Sequence, residues 1–248
     1  MSHTVVCQVG NQSILLDIDD EIPGRRDKNY ELWRAETFES KEPDTIAWID
    51  AYMQEGEVLY DVGANIGQYS LYTASKLEGN CQVLAFEPEA LNYAKLNRNI
   101  LLNDLADSIT AYSVAIADRH EFGTFYVQTF APGAALHCWN KAETQGERPF
   151  TPENEQGTIA VALDELPARF DLPFPNHIKI DVDGIEKKVI DGARDCLSDP
   201  RLRSVLVEVY MYKDTAQYVE DAFGDGFVLS NADSVDYQEG IVQNLIFV

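Results

Sequence analysis

The chain has 248 residues, 45% of them hydrophobic, which is enough for one large α/β domain with a complete core. Nineteen Lys and Arg stand against 42 Asp and Glu, a net charge of −23 at pH 7, and that field repels nucleic-acid backbones and anionic membrane surfaces. Cys7, Cys81, Cys138 and Cys196 lie far apart with no C-x-x-C pair, no apolar run approaches eighteen residues, and no basic-then-apolar leader opens the chain, so a cytoplasmic protein with ordinary thiols is expected.

In chain order, Thr4 to Val9 and Ser13 to Ile18 flank Gly10-Asn11 and predict a tight N-terminal β-hairpin. Residues 19–29, acidic and then basic around Pro23 and Gly24, read as a loop. Helical segments follow at 30–38 and 42–53, the second with Ile46, Ile49 and Met53 on one face. Residues 1–53 are thus a hairpin and helical lead-in, forming one compact unit with a main domain over 54–248. From Glu57 onward, strands near 58–62, 82–87, 109–116, 177–182 and 203–209 alternate with helices near 66–77, 89–102, 184–197 and 213–223. That alternation predicts a doubly wound, mostly parallel sheet covered on both faces. Thr129 to Gly157 interrupts it with Pro132, Gly133, Gly146, Pro149 and Pro152, between strands expected at 122–128 and 158–163, and reads as a mobile substrate lid, the alternative being a plain insertion. Strands at 226–230 and 243–248, around a turn-rich 231–240, close the chain.

The most informative stretch is Val58-Leu-Tyr-Asp-Val-Gly-Ala-Asn-Ile-Gly67, answered by Val83-Leu-Ala-Phe-Glu-Pro88. An apolar strand, a glycine turn opening a helix, and a second strand ending in an acid describe half of a doubly wound nucleotide site. Gly63 allows the sharp reversal and Gly67 the close approach of helix to sheet. Asn65 stands where a dinucleotide fingerprint needs its middle glycine, and no Lys-Ser/Thr follows, so NAD and P-loop nucleotides fit poorly. Asp61 can orient the turn and meet a ligand ammonium, and Glu87 can accept both hydroxyls of a ribose. That combination suits S-adenosylmethionine.

Asp61-Val-Gly-Ala-Asn-Ile-Gly-Gln-Tyr-Ser70, Ala85-Phe-Glu-Pro88, Asn99-Ile-Leu-Leu-Asn103 and Lys179-Ile-Asp-Val-Asp-Gly-Ile-Glu186 resemble the FkbM-type family of S-adenosylmethionine-dependent methyltransferases, over roughly residues 30–248. The resemblance implies a seven-stranded Rossmann-like sheet with an antiparallel last strand and O-methylation of a hydroxyl on a sugar or natural-product-type small molecule. It places Ala64, Asn65 and Pro88 at the cofactor, Val114 and Ala115 beside the adenine, and Arg34 and Thr37 toward the methionine end. Tyr69 either closes over the cofactor carboxylate or belongs to the core.

Methyl transfer to a hydroxyl requires alignment, a proton acceptor and exclusion of water, and groups at the carboxyl ends of the strands are so placed. Asp181 ends His177-Ile-Lys-Ile-Asp181 and is the first candidate for general base or substrate anchor. Asp183 and Glu186 read either as a helix capping box or as catalytic acids; Asp181 and Asp183, with Glu208 near, are the alternative Mg²⁺ ligands, although no clear ligand triad is legible and no metal is assigned. Glu208 ends the apolar strand Val205-Leu-Val-Glu-Val209 and must be paired or face the cleft. His137, in the long loop, is a reserve base. Trp33, Trp139 and Tyr210 either shape the acceptor pocket or belong to the core. Competing readings are an N-methyltransferase on a small molecule or protein and a Rossmann-like binding protein or dehydrogenase without methyl transfer. The chain lacks the Asn/Asp-Pro-Pro-aromatic turn of nucleic-acid amino methylation. The expected partner is a small-molecule hydroxyl acceptor, with no nucleic acid and no membrane; oligomeric state is not encoded legibly.

Overall fold

The computed structural model describes residues 1–21, 29–224 and 226–248. Most of the loop expected at 19–29 therefore lies outside the described residues. Strands β1 (Ser2–Val9) and β2 (Gln12–Asp19) pair antiparallel with Val9 opposite Gln12, so Gly10 and Asn11 form the two-residue turn read from the sequence. Helices α1 (Tyr30–Lys41) and α2 (Pro43–Tyr52) follow, the first capped by Asn29, whose side chain accepts the Leu32 N–H at 2.9 Å.

The alternating region begins with β3 (Val58–Val62), α3 (Gln68–Lys76), β4 (Gln82–Phe86), α4 (Ala90–Leu102) and β5 (Ile109–Tyr112). The Asn99–Asn103 spacing now has a structural meaning. Four helical residues rise about 6 Å, close to the ~6.8 Å spanned by two strand residues. The two side chains therefore match β2: Asn99 accepts the Asp17 N–H at 2.9 Å, while Asn103 accepts the Leu15 N–H at 2.8 Å and donates to the Leu15 carbonyl at 2.7 Å. They act as a substitute strand along the hairpin's open edge and fasten it to the domain.

The strand expected at 109–116 divides. After β5 the chain leaves the main sheet at Ser113-Val114, and β6 (Ala115–Ile116) joins a second sheet with β7 (Glu121–Val127), β8 (Cys138–Trp139) and β9 (Asn154–Val161) in the order β6-β9-β7-β8. Helix α5 (Glu165–Phe170), β10 (His177–Ile180), α6 (Glu186–Asp191), α7 (Arg194–Ser198), β11 (Ser204–Tyr210), α8 (Thr215–Ala222) and β12 (Val242–Phe247) complete the chain. The single helix expected at 184–197 is two. Asp164 accepts the Asp195 and Cys196 N–H groups at 3.0 and 2.8 Å and starts α7 afresh. At Gly192 a Cβ would come within 2.2 Å of the Ala117 carbonyl oxygen, so the break is also a close contact.

The main sheet runs β12-β11-β10-β3-β4-β5, parallel except for β12. Among the described residues its ladder has six strands where seven were expected, and the 226–230 segment runs antiparallel beside β12 without forming a full strand: Val228 and Val248 exchange backbone hydrogen bonds at 2.9 and 3.0 Å and the Ser230 N–H donates to the Ile246 carbonyl at 2.8 Å. The pairing stops at Asn231, whose side chain accepts the Ile246 N–H and donates to the Asn244 carbonyl. Both faces are covered. Leu59, Val83, Ala85 and Leu206 pack toward the hairpin and α1–α4, while Tyr60, Val62, Phe86, Ile178 and Val207 pack toward α5–α8, the burial pattern of a parallel sheet. Among the described residues no helix is long and apolar enough to cross a membrane.

Candidate active site

The strand order reverses direction at β3, flanked by β4 on one side and β10 on the other, and a cavity of about 350 Å³ opens there at the carboxyl ends. Its first wall is the turn after β3. The Gly63 and Ala64 N–H groups both donate to the Phe86 carbonyl, at 2.9 and 3.1 Å, which clips the turn to β4. Gly63 has φ +82°, and a Cβ there would sit 1.9 Å from the Asp181 carbonyl oxygen. Asn65, at φ +51°, donates its N–H to Glu87 at 2.8 Å and its side-chain amide to the Ala134 carbonyl at 2.8 Å. It braces the turn as well as replacing a glycine. Gly67, at φ +95°, packs on Leu96 of α4.

Glu87 faces the cavity almost fully buried. One carboxylate oxygen accepts the Asn65 N–H and the other the Glu89 N–H, both at 2.8 Å. Burial pushes its carboxyl up to about 8 against the pull of those donors. Pro88, Phe86, Val114, Ala115 and Ile116 form an apolar wall next to it. The switch of sheets at Ser113-Val114 is what carries this wall across the cleft.

Arg34 reaches the cavity from α1, held by the Gly133 carbonyl at 2.6 Å and Gln68 at 3.3 Å. Thr37 and Tyr69 do not line it. The Thr37 hydroxyl donates to Trp33 within its own helix, and the Tyr69 ring is buried edge-on to Phe38 with the Lys179 ammonium 5.0 Å from its centroid. Asp61, expected to meet a ligand ammonium, is sealed behind the turn: Ser70 donates to it at 2.6 Å and Lys179 lies 3.7 Å away. Ala64 and Gly67 also sit behind the lining and shape the turn from within.

On the opposite side, Asp181 and Glu208 line the cavity from the ends of β10 and β11, hydrogen-bonded to each other. Lys179 is fully buried two residues before Asp181, on the same face of the strand, with its ammonium 2.8 Å from that carboxylate. Burial alone would raise Asp181; Lys179 beside it holds it well below the usual carboxylate range. Burial and the Asp181 charge push Glu208 up, so this pair carries one proton at neutral pH, on Glu208. Glu42 joins them, the three groups offering oxygens all within 4.8 Å of one another. Lys41, paired with Glu42, and Lys179, shared between Asp181 and Asp61, are the ammonium groups beside these acids. Sequence reasoning missed Lys179 and Glu42. Lys179 was signalled by a lone charge inside an apolar strand, whereas Glu42 lies in the lead-in, where no local pattern announces it.

Asp183 and Glu186 do not form the capping box. Asp183 accepts the Leu136 and His137 N–H groups, at 2.5 and 3.1 Å, and burial with the Asp181 charge raises it to about 6. Those bonds hold Leu136 at φ +67°, a left-handed conformation that costs a leucine about 1–2 kcal/mol. Glu186 accepts the Gly184 N–H at 2.9 Å, is raised by burial to about 8, and faces a neighbouring cavity. His137 is buried in the first cavity. Burial and Arg34 lower it to about 4, so it is neutral at pH 7. Its Nδ1 accepts the Gln128 N–H, at 3.3 Å, which assigns the proton to Nε2, an atom with no hydrogen-bond partner. That nitrogen is itself buried, beside the Ala134 backbone, and with Nδ1 engaged by Gln128 the expectation of a base at His137 is corrected.

The first half of the 129–157 stretch is a fixed wall. Gly133 donates to Asn92 at 2.7 Å and accepts from Arg34, and the Ala134 carbonyl accepts from both Asn65 and Asn92. Trp33 and Trp139 line the first cavity, while Tyr210 lines the neighbouring one.

Sheet order, glycine turn and cleft together define an α/β fold of the methyltransferase type. The chain belongs to the FkbM methyltransferase domain family, whose model matches residues 61–236. It is 28% identical to the hexuronic acid methyltransferase AglP of Haloferax volcanii, over 73% of this chain and 66% of that protein. It is 30% identical to the 31-O-demethyl-FK506 methyltransferase FkbM of Streptomyces tacrolimicus, over 64% of this chain and 67% of that protein. The chain thus spans about two thirds of the length of each. The solved structure of a methyltransferase FkbM from Methylobacillus flagellatus shares the fold, with a TM-score of 0.51 at 16% identity over 79% of this chain and 45% of that one.

Proposed function

We propose that the chain is an S-adenosylmethionine-dependent O-methyltransferase acting on a hydroxyl of a sugar or natural-product-type small molecule. The observation that carries the reading is one cavity holding both a ribose-type carboxylate, Glu87, and an ionised carboxylate, Asp181. Each Glu87 oxygen has one lone pair engaged by a backbone N–H, and a carboxylate accepts about four hydrogen bonds in all, leaving capacity for two vicinal hydroxyls. Phe86, Val114 and Ala115 suit an adenine ring, and the Arg34 guanidinium suits an amino-acid carboxylate. When bound, the cofactor supplies a methyl group on a positively charged sulfur.

The remaining steps belong to the chain. As the oxygen–carbon bond forms and the carbon–sulfur bond breaks, the hydroxyl proton becomes strongly acidic, and Asp181 accepts it despite its low basicity. The products are a methyl ether and S-adenosylhomocysteine. The printed activities of the two relatives, on a hexuronic acid and on a 31-O position, support an oxygen acceptor on such molecules. The net charge of −23 weighs against nucleic-acid acceptors.

Asp181→Asn tests the assignment. With an acceptor found in a screen of hydroxylated sugars and macrolides, the variant is expected to retain S-adenosylhomocysteine binding and to lose about 100-fold in kcat. Undiminished turnover would remove Asp181 as the base.

A further inference from the structure

A second cavity, of about 600 Å³, adjoins the first and shares Trp139, Gln145, Asp183 and Ile185 with it. Its lining departs from the composition of the chain. Four of the nine lysines in the sequence, Lys141, Lys187, Lys188 and Lys213, line this one space on a molecule of net charge −23. Lys213 pairs with Glu147 at 2.5 Å and Lys141 with Glu143 at 3.7 Å, pairs at the exposed rim that contribute little and open readily. Lys187 and Lys188, in α6, have no carboxylate within 4.0 Å among the described residues; Lys187 lies 5.3 Å from the Tyr218 ring centroid, a contact that leaves its charge unneutralised.

Tyr210 and Tyr212 stand on the same lining with ring centroids 6.3 Å apart. Such rings offer apolar faces to the C–H surface of a sugar; the Tyr212 hydroxyl already donates to Glu147 at 3.4 Å and Lys213 lies 4.6 Å from the Tyr212 ring centroid. Of the acids here, Asp183 is engaged by two backbone N–H groups and Glu186 by one.

We propose that this second cavity is the acceptor subsite and that it selects a sugar ring bearing a carboxylate. Lys187 and Lys188 bind the carboxylate, the two tyrosines hold the ring, and a hydroxyl of the same sugar reaches the first cavity past Asp183 and Trp139. The inference rests on the methyltransferase reading and deepens it. The protein's overall field disfavours polyanions, while in this cavity four lysines stand against Glu143, Glu147, Asp183 and Glu186, the last raised to about 8 by burial, so a single carboxylate meets less repulsion here than a chain of this net charge otherwise presents.

Calorimetric titration of D-glucuronate and of D-glucose into the protein saturated with S-adenosylhomocysteine tests the assignment. Glucuronate is expected to bind at least about tenfold more tightly than glucose, as charge-assisted hydrogen bonds to a carboxylate imply. In Lys187→Gln/Lys188→Gln that preference is expected to collapse, with glucose binding and S-adenosylhomocysteine affinity retained as the check on folding. Equal affinity for the two sugars in the unmodified protein, undetectable glucuronate binding, or a preference that survives the double substitution would overturn the proposal. Failure of S-adenosylhomocysteine itself to bind is a separate result, one that removes the methyltransferase reading instead.

Discussion

Lys179 decides the electrostatics of the site. Its buried ammonium lies between half-buried Asp181, at 2.8 Å, and buried Asp61, at 3.7 Å, and each of the three would be costly there without the others. Lys179→Met keeps the volume and removes the charge, leaving two acids that must either protonate or stay uncompensated. It is expected to lower unfolding free energy by about 3–5 kcal/mol, read by urea denaturation at pH 7. The loss should shrink in acid, where Asp61 and Asp181 protonate; an unaltered denaturation midpoint at pH 7 would contradict the pairing. The two strand-end acids were legible in the sequence because an acid closing an apolar strand has few uses. Their partners were less so. Lys179 falls two residues before Asp181 and opposite Asp61, a juxtaposition that only strand register reveals, and Glu42 arrives from an element more than a hundred residues away.

At the level of elements, the turn between β3 and α3 is fixed from three sides: by the Phe86 carbonyl, by Glu87, and by the 131–135 segment through Asn65. The Gly63 position has no space on its fourth side, facing the Asp181 carbonyl. Gly63→Ala therefore incurs both the left-handed conformation, about 1–2 kcal/mol, and a backbone clash between β3 and β10. Thermal denaturation should show a clear loss of stability, together with loss of S-adenosylhomocysteine binding; wild-type affinity in this variant would show that the turn is not the ligand's floor. Elements with strong periodicity, such as β3, β4 and α4, were readable to within a residue or two. The divided elements were not. The break between α6 and α7 depends on Asp164, and the change of sheet after β5 depends on pairing with β9, both distant in sequence. The 129–157 stretch looked like a free lid because its Pro and Gly content hides the bonds that Arg34, Asn65 and Asn92 make to it.

For the whole molecule, the sheet order places Glu87 and Asp181 on opposite sides of β3, the hairpin and lead-in bring Arg34 and Glu42 to the same opening, and the second sheet carries Val114, Ala115 and His137 over it. Each part contributes one wall of a single cavity, the proposed adenosyl-cofactor site. The central claim is that Glu87, in its ionised form, holds the ribose. Because its carboxyl is raised to about 8, it is mostly protonated at pH 6 and mostly ionised at pH 8.5, and only the ionised form accepts two ribose hydroxyls with both oxygens. The direct measurement is calorimetric titration with S-adenosylhomocysteine at pH 6 and pH 8.5, on the unmodified protein and on Glu87→Gln. The account predicts binding that tightens by well over tenfold, up to roughly 75-fold, from the lower to the higher pH, and weak, pH-independent binding in the variant. Affinity that is equal in the two proteins, or that falls as the pH rises, would contradict it.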